Sequence, residues 1–431
     1  MPARPTAFVG ARLLDPASGY DGPGALIVTE GVIADVVKGS DPGALSPDVD
    51  VVDVQGKALL PGLVDIRVKT GEPGAEPKET LKSAGLAAAA GGVTSIVVQP
   101  DTNPVADDPA VVDFILRRAR DIELVHVYPA GAATKGAAGE RMAEIGLMHD
   151  AGCVYITDAD RPIANSKVLQ RVLAYAKAFG VLVAHRPADP WLSAGAAATS
   201  GEFAARMGLP SVHAIAEKIM LERDLALVEV TGAKLIVDQI TTAGALESLK
   251  RAQDKGLPVV ATTSINHLSF NEVDIGDYRT FCKLDPPLRS EGDRQAVIDA
   301  VASGQIEVIV SAHAPAPAED KRLPYDEAAP GAVGLQTLLP ALLAFHHEDR
   351  IPLLDLIRKV TCAPADLLGL PAGRLAKGAP ADLVLCDLAA PIVIDADKLL
   401  SKSKNSPFDG RRLQGKVLRT MVDGRTVYRA E

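Results

Sequence analysis

The sequence predicts an α/β protein: a (β/α)8 barrel of the TIM type with a small β-sandwich domain formed by the N- and C-terminal segments. Between residues 61 and 316, short apolar runs rich in β-branched residues alternate with Ala/Leu-rich helical stretches. This alternation is typical of parallel strands that are covered on both faces. The two ends of the chain instead alternate apolar and turn residues without a helical period, which favours β structure there.

Eight apolar runs indicate eight barrel strands, and nearly all of them end in a polar or charged residue. In order they are "LVDIRVK" (63–69), "SIVVQP" (95–100), "LVHVYPA" (124–130), "CVYITD" (153–158), "VLVAHR" (181–186), "KLIVDQIT" (234–241), "PVVATTS" (258–264) and "IEVIVSAH" (306–313). Because the carboxyl ends of barrel strands carry the chemistry of such folds, we expect the site there. We predict a barrel over 61–366 and a β domain from 1–60 and 367–431.

Composition narrows the class of protein. The formal net charge of −10 argues against nucleic acid or an anionic membrane as a partner. No apolar stretch is long enough to span a bilayer, and no apolar region follows the N-terminal arginines as in a secretory signal. The cysteines Cys153, Cys282, Cys362 and Cys386 are scattered and form no CxxC pair, which suits buried thiols in a reducing compartment. We expect a cytoplasmic protein.

The first strand, in "PGLVDIRVKTGEPG" (61–74), carries an unusual set of charges. Asp65, Arg67 and Lys69 alternate along the strand, so they share one face and point into the barrel mouth. A protonated arginine has no lone pair to offer a metal, and a lysine would first have to lose its proton. The two cations are therefore poor metal ligands.

Eight stretches carry a resemblance to a known family. They are "PGLVDIRVKTGEPG", "GGVTSIVVQPDTNPVADD", "GCVYITDADRPI", "SGEFAARMGLPSVHAIAE", "LDPPLRSEGDR", "SAHAPAPAEDK", "PGAVGLQT" and "SPFDGRRLQGKV". In this order they resemble the class I dihydroorotases of the amidohydrolase superfamily, over almost the whole chain. The resemblance implies a barrel-plus-sandwich architecture. It also implies zinc, often as a pair, that activates a water for attack on the cyclic amide of dihydroorotate.

The sequence departs from the family at the residues that would hold this zinc and the substrate. The family's first strand supplies two histidines and then an arginine for the substrate carboxylate. Arg67, Lys69 and Gly71 stand at these positions, and Gln239 stands where the sixth strand would supply a metal-binding histidine.

Four further family positions also differ from the family pattern. In the strand-eight motif the catalytic aspartate is Ala312 and the final histidine is Ala316. The family's two substrate-binding asparagines correspond to Asp101 and Asp285. Each of these aspartates adds a negative charge where an anionic substrate would bind, which disfavours binding.

Three polar residues of the family site remain: Asp158, His185 and His313. Whether Asp158 or Asp160 matches the family's metal-bridging carboxylate is left open by the sequence. A catalytic zinc needs three protein ligands, so we expect no metal and no other cofactor where the family uses zinc.

We expect Asp101, Asp158 and Asp285 to converge near the two cations of strand one. The structural interpretation of such a site is that the cations replace the charge of the metal and pair with the leftover carboxylates.

Two functional interpretations follow, and a third is disfavoured. The first is a non-catalytic homologue in pyrimidine biosynthesis, a structural or regulatory subunit that acts with the catalytic chain of aspartate transcarbamoylase. We expect this chain to form a homo-oligomer or a hetero-oligomer. The alternative is an active hydrolase of cyclic amides that uses the Lys69 amine or a single metal at His185 and His313. An ordinary dihydroorotase is disfavoured because eight family positions on several strand ends are altered together.

Overall fold

The computed structural model describes residues 4–39 and 46–430, so residues 1–3 and 40–45 of the predicted N-terminal segment lie outside the described residues. The strands in chain order are β1 (Thr6–Asp15), β2 (Tyr20–Thr29), β3 (Val32–Lys38), β4 (Asp50–Asp53), β5 (Ala58–Pro61), β6 (Leu63–Val68), β7 (Val93–Val98), β8 (His126–Pro129), β9 (Val183–His185), β10 (Ala198–Thr199), β11 (Ser211–Val212), β12 (Leu235–Val237), β13 (Val259–Ser264), β14 (Val308–Val310), β15 (Leu383–Val393), β16 (Arg412–Val422) and β17 (Arg425–Arg429).

The helices alternate with the barrel strands, as predicted. They are α1 (Leu81–Ala90), α2 (Pro109–Ile122), α3 (Ile145–Asp150), α4 (Ser166–Ala178), α5 (Glu202–Met207), α6 (Ile215–Thr231), α7 (Ala243–Asp254), α8 (Ile265–Ser269), α9 (Glu291–Ala302), α10 (Ala318–Lys321), α11 (Leu338–His347), α12 (Leu353–Arg358) and α13 (Cys362–Leu368). Several begin at a side chain that accepts a backbone N–H of the first turn, including Thr80, Asp108 and Thr242. Such caps fix where each helix starts, and therefore how long each loop at the barrel mouth is.

The predicted barrel is confirmed, and parallel pairing runs around it. One arc consists of β6, β7 and β8, and another of β9, β12, β13 and β14. Ile156 bridges both Gly131 and Val183, which joins the two arcs, and a bridge between Val68 and His313 closes the barrel. The fourth run, predicted as a strand over 153–158, pairs through Ile156 N to Leu182 O (3.0 Å) on one side and Thr157 N to Gly131 O (2.9 Å) on the other.

The two chain ends together form the expected small β domain. Its strands make one continuous sheet in the order β17-β16-β15-β5-β1-β2-β3, with β4 also paired to β1. The C-terminal strand β15 pairs directly with the N-terminal strand β5, Leu383 opposite Pro61. Side chains from both ends, among them Phe8, Leu26 and Met421, share one buried cluster. Apolar burial therefore holds the two distant segments together.

The remaining expectations from composition concern cysteines and membranes. All four cysteines are free and buried, and burial raises the pKa of the Cys153 and Cys386 thiols to about 12, so they are inert core residues. Among the helices of the described residues, none combines the length and apolar character needed to cross a membrane.

Candidate functional site at the barrel mouth

A cavity of about 180 Å³ opens at the carboxyl ends of the barrel strands, where the sequence predicted the site. The residues singled out from the sequence that line it are Arg67, Lys69, Gly71, Asp101, Gln239, Asp285, Ala312 and Ala316. Asp160 lines it as well. We give the name mouth ion cluster to seven charged residues: Arg67, Lys69, Asp101, Asp160, Arg186, Asp238 and Asp285.

Arg67 lies at the buried centre of the mouth ion cluster. Its Nε is 2.6 Å from Asp238 Oδ2, and its Nη2 is 2.5 Å from Asp160 Oδ1. With the Gln239 amide oxygen assigned toward the guanidinium, that oxygen accepts from Nε and Nη1 at 3.0 Å each. Burial lowers the pKa of Arg67, but the charges of Asp238 and Asp160 raise it by more. The guanidinium is therefore charged and fully engaged.

Lys69 binds two carboxylates at the more open side of the cluster. Its Nζ is 2.6 Å from Asp101 Oδ2 and also forms an ion pair with Asp160. Burial lowers the pKa of Lys69, but Asp101 and Asp160 together raise it above its ordinary value. The two carboxylates thus stabilise the charged form of this amine, which disfavours its use as a nucleophile.

A third cation completes the cluster and was not singled out from the sequence. Both terminal nitrogens of Arg186 pair with Asp285, and Nη1 lies 3.4 Å from Asp160 Oδ1. Asp160 thus contacts Lys69, Arg67 and Arg186. Desolvation raises its pKa, but the three cations lower it well below its ordinary value. The sequence offered one signal for each residue: Arg186 is the last residue of the predicted run 181–186, and Asp238 is the first charged residue after the apolar part of the run 234–241.

The two candidate carboxylates of the fourth strand have different partners in the structure. Asp160 enters the mouth ion cluster, whereas Asp158 Oδ1 accepts the backbone N–H of Thr134 at 2.9 Å and Oδ2 accepts its hydroxyl. The expectation that Asp158 converges with Asp101 and Asp285 was therefore wrong. Ala159 between the two aspartates has a left-handed backbone, φ 53°, which turns the chain so that the second aspartate reaches the mouth.

The surviving histidines do not line the mouth cavity. His185 Nδ1 is 2.7 Å from Asp224 Oδ2, and its Nε2 accepts the backbone N–H of Ile163 at 2.8 Å, so both ring nitrogens are occupied. His313 is fully buried. Its Nδ1 accepts the N–H of Gly334 at 3.1 Å, and its Nε2 lies 3.5 Å from the buried carboxylate of Glu79. The pair expected to hold a single metal therefore serves internal hydrogen bonds.

At Gly71, Gln239 and Ala312 the backbone has a positive φ, which is unfavourable for residues with a Cβ. Gly71 has φ +72°, and a Cβ added there would lie 2.6 Å from the carbonyl oxygen of Ala75. An arginine could not replace it without moving this turn. Gln239 and Ala312 keep left-handed backbones at φ 58° and 50°, a conformation that is costly for residues with a Cβ. Ala316 is buried and donates its N–H to Asn405.

These residues do not fit a zinc pair. Zinc needs imidazole nitrogens, thiolates or carboxylates with a free lone pair, whereas Arg67 and Lys69 bring positive charge to the ligand positions and Asp160 is held by cations. Within residues 4–39 and 46–430, the one group of three or more His, Cys, Asp and Glu side chains with suitable spacing lies away from the mouth. The mouth ion cluster can cross-link the strand ends.

The chain has an amidohydrolase-type fold, with a barrel, a site at the barrel mouth and a β domain built from both chain ends. Residues 56–245 match the family described as Dihydro-orotase-like, and residues 340–428 match the Amidohydrolase family. A dihydroorotase of Anaeromyxobacter dehalogenans strain 2CP-1 is 39% identical over 421 residues, 97% of this chain and 96% of that protein. One of Anaplasma phagocytophilum strain HZ is 41% identical over 428 residues, 99% and 95% of the two chains. The chain belongs to the dihydroorotase-like family of the amidohydrolases.

Solved structures agree with this fold. The L-hydantoinase (dihydropyrimidinase) from Arthrobacter aurescens has a TM-score of 0.88 at 24% identity, covering 99% of this chain and 96% of that one. A D-hydantoinase has a TM-score of 0.84 at 20% identity, covering 99% and 95%.

Proposed function

We propose that this chain is a non-catalytic dihydroorotase homologue that acts as a structural or regulatory subunit with the catalytic chain of aspartate transcarbamoylase in pyrimidine biosynthesis. The observation that carries the non-catalytic part is the pairing of Arg67 and Lys69 with Asp160 at the strand-one metal positions. Both cations are held inside the protein by carboxylates. Held in this way, neither Arg67 nor Lys69 can act as a metal ligand or as a base that generates a nucleophile.

The mouth ion cluster has a structural role in this proposal. It ties Arg67 of β6 to Asp160 and to Asp238, which directly follows β12. Arg186 directly follows β9 and joins Asp160 to Asp285. In active relatives of such a fold, metal–ligand bonds would hold these strand ends together. Ion pairs that are largely shielded from water can take over that mechanical role without supplying chemistry.

Exposed apolar side chains near the mouth offer a contact surface for the partner. Ile215 and Ile219 are one helical turn apart on α6, and both are more than 40% exposed. The loop that carries Trp191 and Leu192 is tied to the start of this helix by the hydrogen bond from Asp189 N to Ala216 O. We call these four exposed side chains the α6 patch. Apolar groups exposed together in this way favour a protein interface.

Co-expression with the catalytic chain of aspartate transcarbamoylase tests the assembly. We expect the two chains to elute together at micromolar concentration, and the transcarbamoylase to lose stability or regulation when this chain is left out. Ile219→Asp within the α6 patch should dissociate the complex. Val230→Asp is the control, because Val230 is also an exposed apolar residue of the same helix but lies at its other end. Separate elution, with a transcarbamoylase that is unchanged alone, would refute the assembly.

The alternative function is an active hydrolase of cyclic amides with an unusual or mononuclear site. It is favoured by relatives described as dihydroorotases that are 39–41% identical over nearly the whole chain. The discriminating measurement is turnover of dihydroorotate and of other cyclic amides by the purified chain. Turnover above background that disappears in Lys69→Ala would favour the hydrolase over the subunit.

A further inference from the structure

A second polar cluster lies on the opposite face of the barrel, where the barrel meets the terminal sheet. His126 is the first residue of β8, Asp382 directly precedes β15, and Asp423 directly follows β16 in the turn to β17. His126 Nε2 is 3.1 Å from Asp382 Oδ2 and 3.8 Å from Asp423 Oδ1. We call these three residues the junction triad. It joins three chain segments from both domains.

One carboxylate oxygen of the junction triad is buried and faces the other two side chains. Asp382 is 4% exposed, and its Oδ1 accepts the N–H of Asp423 at 2.9 Å. Its Oδ2 lies 3.1 Å from His126 Nε2 and has no further hydrogen-bond donor among the described residues. A buried carboxylate oxygen is stabilised by a hydrogen-bond donor or by a cation. The atom faces the imidazole and the second carboxylate, so a cation between the three would satisfy it.

We propose that the junction triad binds one divalent transition-metal ion, with zinc as its probe. One imidazole nitrogen and two carboxylate oxygens are ligands that zinc accepts, and the three ligand atoms all lie within 4.8 Å of one another. The side chains of His126 and Asp423 are 29% and 48% exposed. Water can therefore reach the ion and complete its coordination.

The ion would act as a clamp between the domains. It would bond the start of a barrel strand to both the entry of β15 and the β16–β17 turn. This is the amino-terminal face of the barrel, where residues serve stability more than catalysis. A metal that binds the folded chain and not the unfolded chain raises the stability of the fold. The proposal is independent of the function proposed for the mouth, because the two sites share no residue.

Zinc titration of the full-length chain after chelator treatment tests the clamp, by calorimetry and by thermal unfolding. We expect one zinc per chain and a zinc-dependent rise in the melting temperature. Asp423→Asn changes an exposed side chain in a turn, so the apo protein should keep its melting temperature. Its zinc affinity should fall at least about tenfold, since loss of even an outer partner costs that much. His126→Gln should behave alike.

His346 and His347 provide the matched control, because they are adjacent histidines at the end of α11 that could bind zinc adventitiously. His346→Gln should leave the affinity unchanged. Equal zinc binding by wild type, Asp423→Asn and His126→Gln overturns the proposal, as does the absence of any zinc-dependent shift in wild type. In either case the triad is an ion pair of His126 with two carboxylates.

Discussion

Arg67 Nε lies 2.6 Å from Asp238 Oδ2, although the two residues are 171 positions apart in the chain. The contact joins the first strand of the barrel to the end of the sixth, directly across the mouth. The two side chains are only 4% and 8% exposed. A buried guanidinium therefore stands at a position where the family places a metal ligand, and its charge is balanced by protein carboxylates.

Arg67→Met is expected to lower the free energy of unfolding by about 3–5 kcal/mol, because it leaves Asp238 and Asp160 without their buried counter-charge. Urea denaturation followed by circular dichroism measures the change. Arg117→Met is the control, since Arg117 pairs with Asp113 at an exposed helix surface. That change should cost less than about 1 kcal/mol. A similar small cost at Arg67 would contradict a cross-linking role for the cluster.

Asp160→Asn is expected to destabilise the protein at neutral pH and to flatten its acid unfolding. The three cations hold the pKa of Asp160 below its ordinary value of 3.8. Its stabilising contribution is therefore present above about pH 3.8 and is lost as the pH falls through the lower folded-state pKa. Stability measured from pH 7 downward should fall less steeply in the variant than in wild type.

Asp158→Asn is expected to change the acid dependence of stability in the opposite direction, although Asp158 lies only two positions from Asp160. Desolvation raises the pKa of Asp158 despite its hydrogen bonds to Thr134. A carboxyl whose folded pKa is raised stabilises the fold most when it is protonated, and this contribution is lost as the pH rises. Replacing it should therefore steepen, not flatten, the loss of stability toward acid pH. Equal slopes in the two variants would show that Asp160 is not the carboxylate that holds the cluster.

Arg67→His/Lys69→His is expected to remain without dihydroorotate turnover when it is supplied with zinc. The double variant restores two imidazoles, but Gln239 and Ala312 still lack ligand or base chemistry, and Gly71 cannot carry the substrate arginine without moving its turn. Activity assays in both reaction directions measure this. Metal content is best compared in an Asp423→Asn background, so that zinc at the junction triad is not counted as zinc at the mouth. Turnover well above background would contradict the non-catalytic proposal.

Lys321→Met is expected to remove a rise in stability between pH 7 and pH 10. Burial lowers the pKa of Lys321 to about 7, and its amine donates to the carbonyl of Thr280 at 3.0 Å. The folded state thus binds fewer protons than the unfolded state above pH 7, so stability rises with pH through that window. Chemical denaturation at several pH values gives the slope. An unchanged slope in Lys321→Met would assign it to other groups.

The sequence predicted where the site lies better than it predicted which side chains pair there. Arg67 and Lys69 were placed at the mouth because alternation along one strand is a local rule. The prediction that the strand-one cations pair with leftover carboxylates named Asp101 and Asp285. Asp101 does pair with Lys69, whereas Asp285 pairs with Arg186 instead. Asp158 was a wrong choice because one left-handed residue, Ala159, decides which of two aspartates faces the mouth. A sequence pattern does not display that dihedral.

By itself, the sequence determined the barrel, the β domain from both chain ends and the strand ends at which charge gathers. Apolar periodicity and turn residues are local signals, and burial of the patterned face leaves few folds open. Only the tertiary structure decided that Arg186 and Asp238 complete the mouth ion cluster, and that His185 has both ring nitrogens occupied. Those facts depend on distances between segments far apart in the chain, and a charge acquires a partner only when folding brings one within a few ångströms.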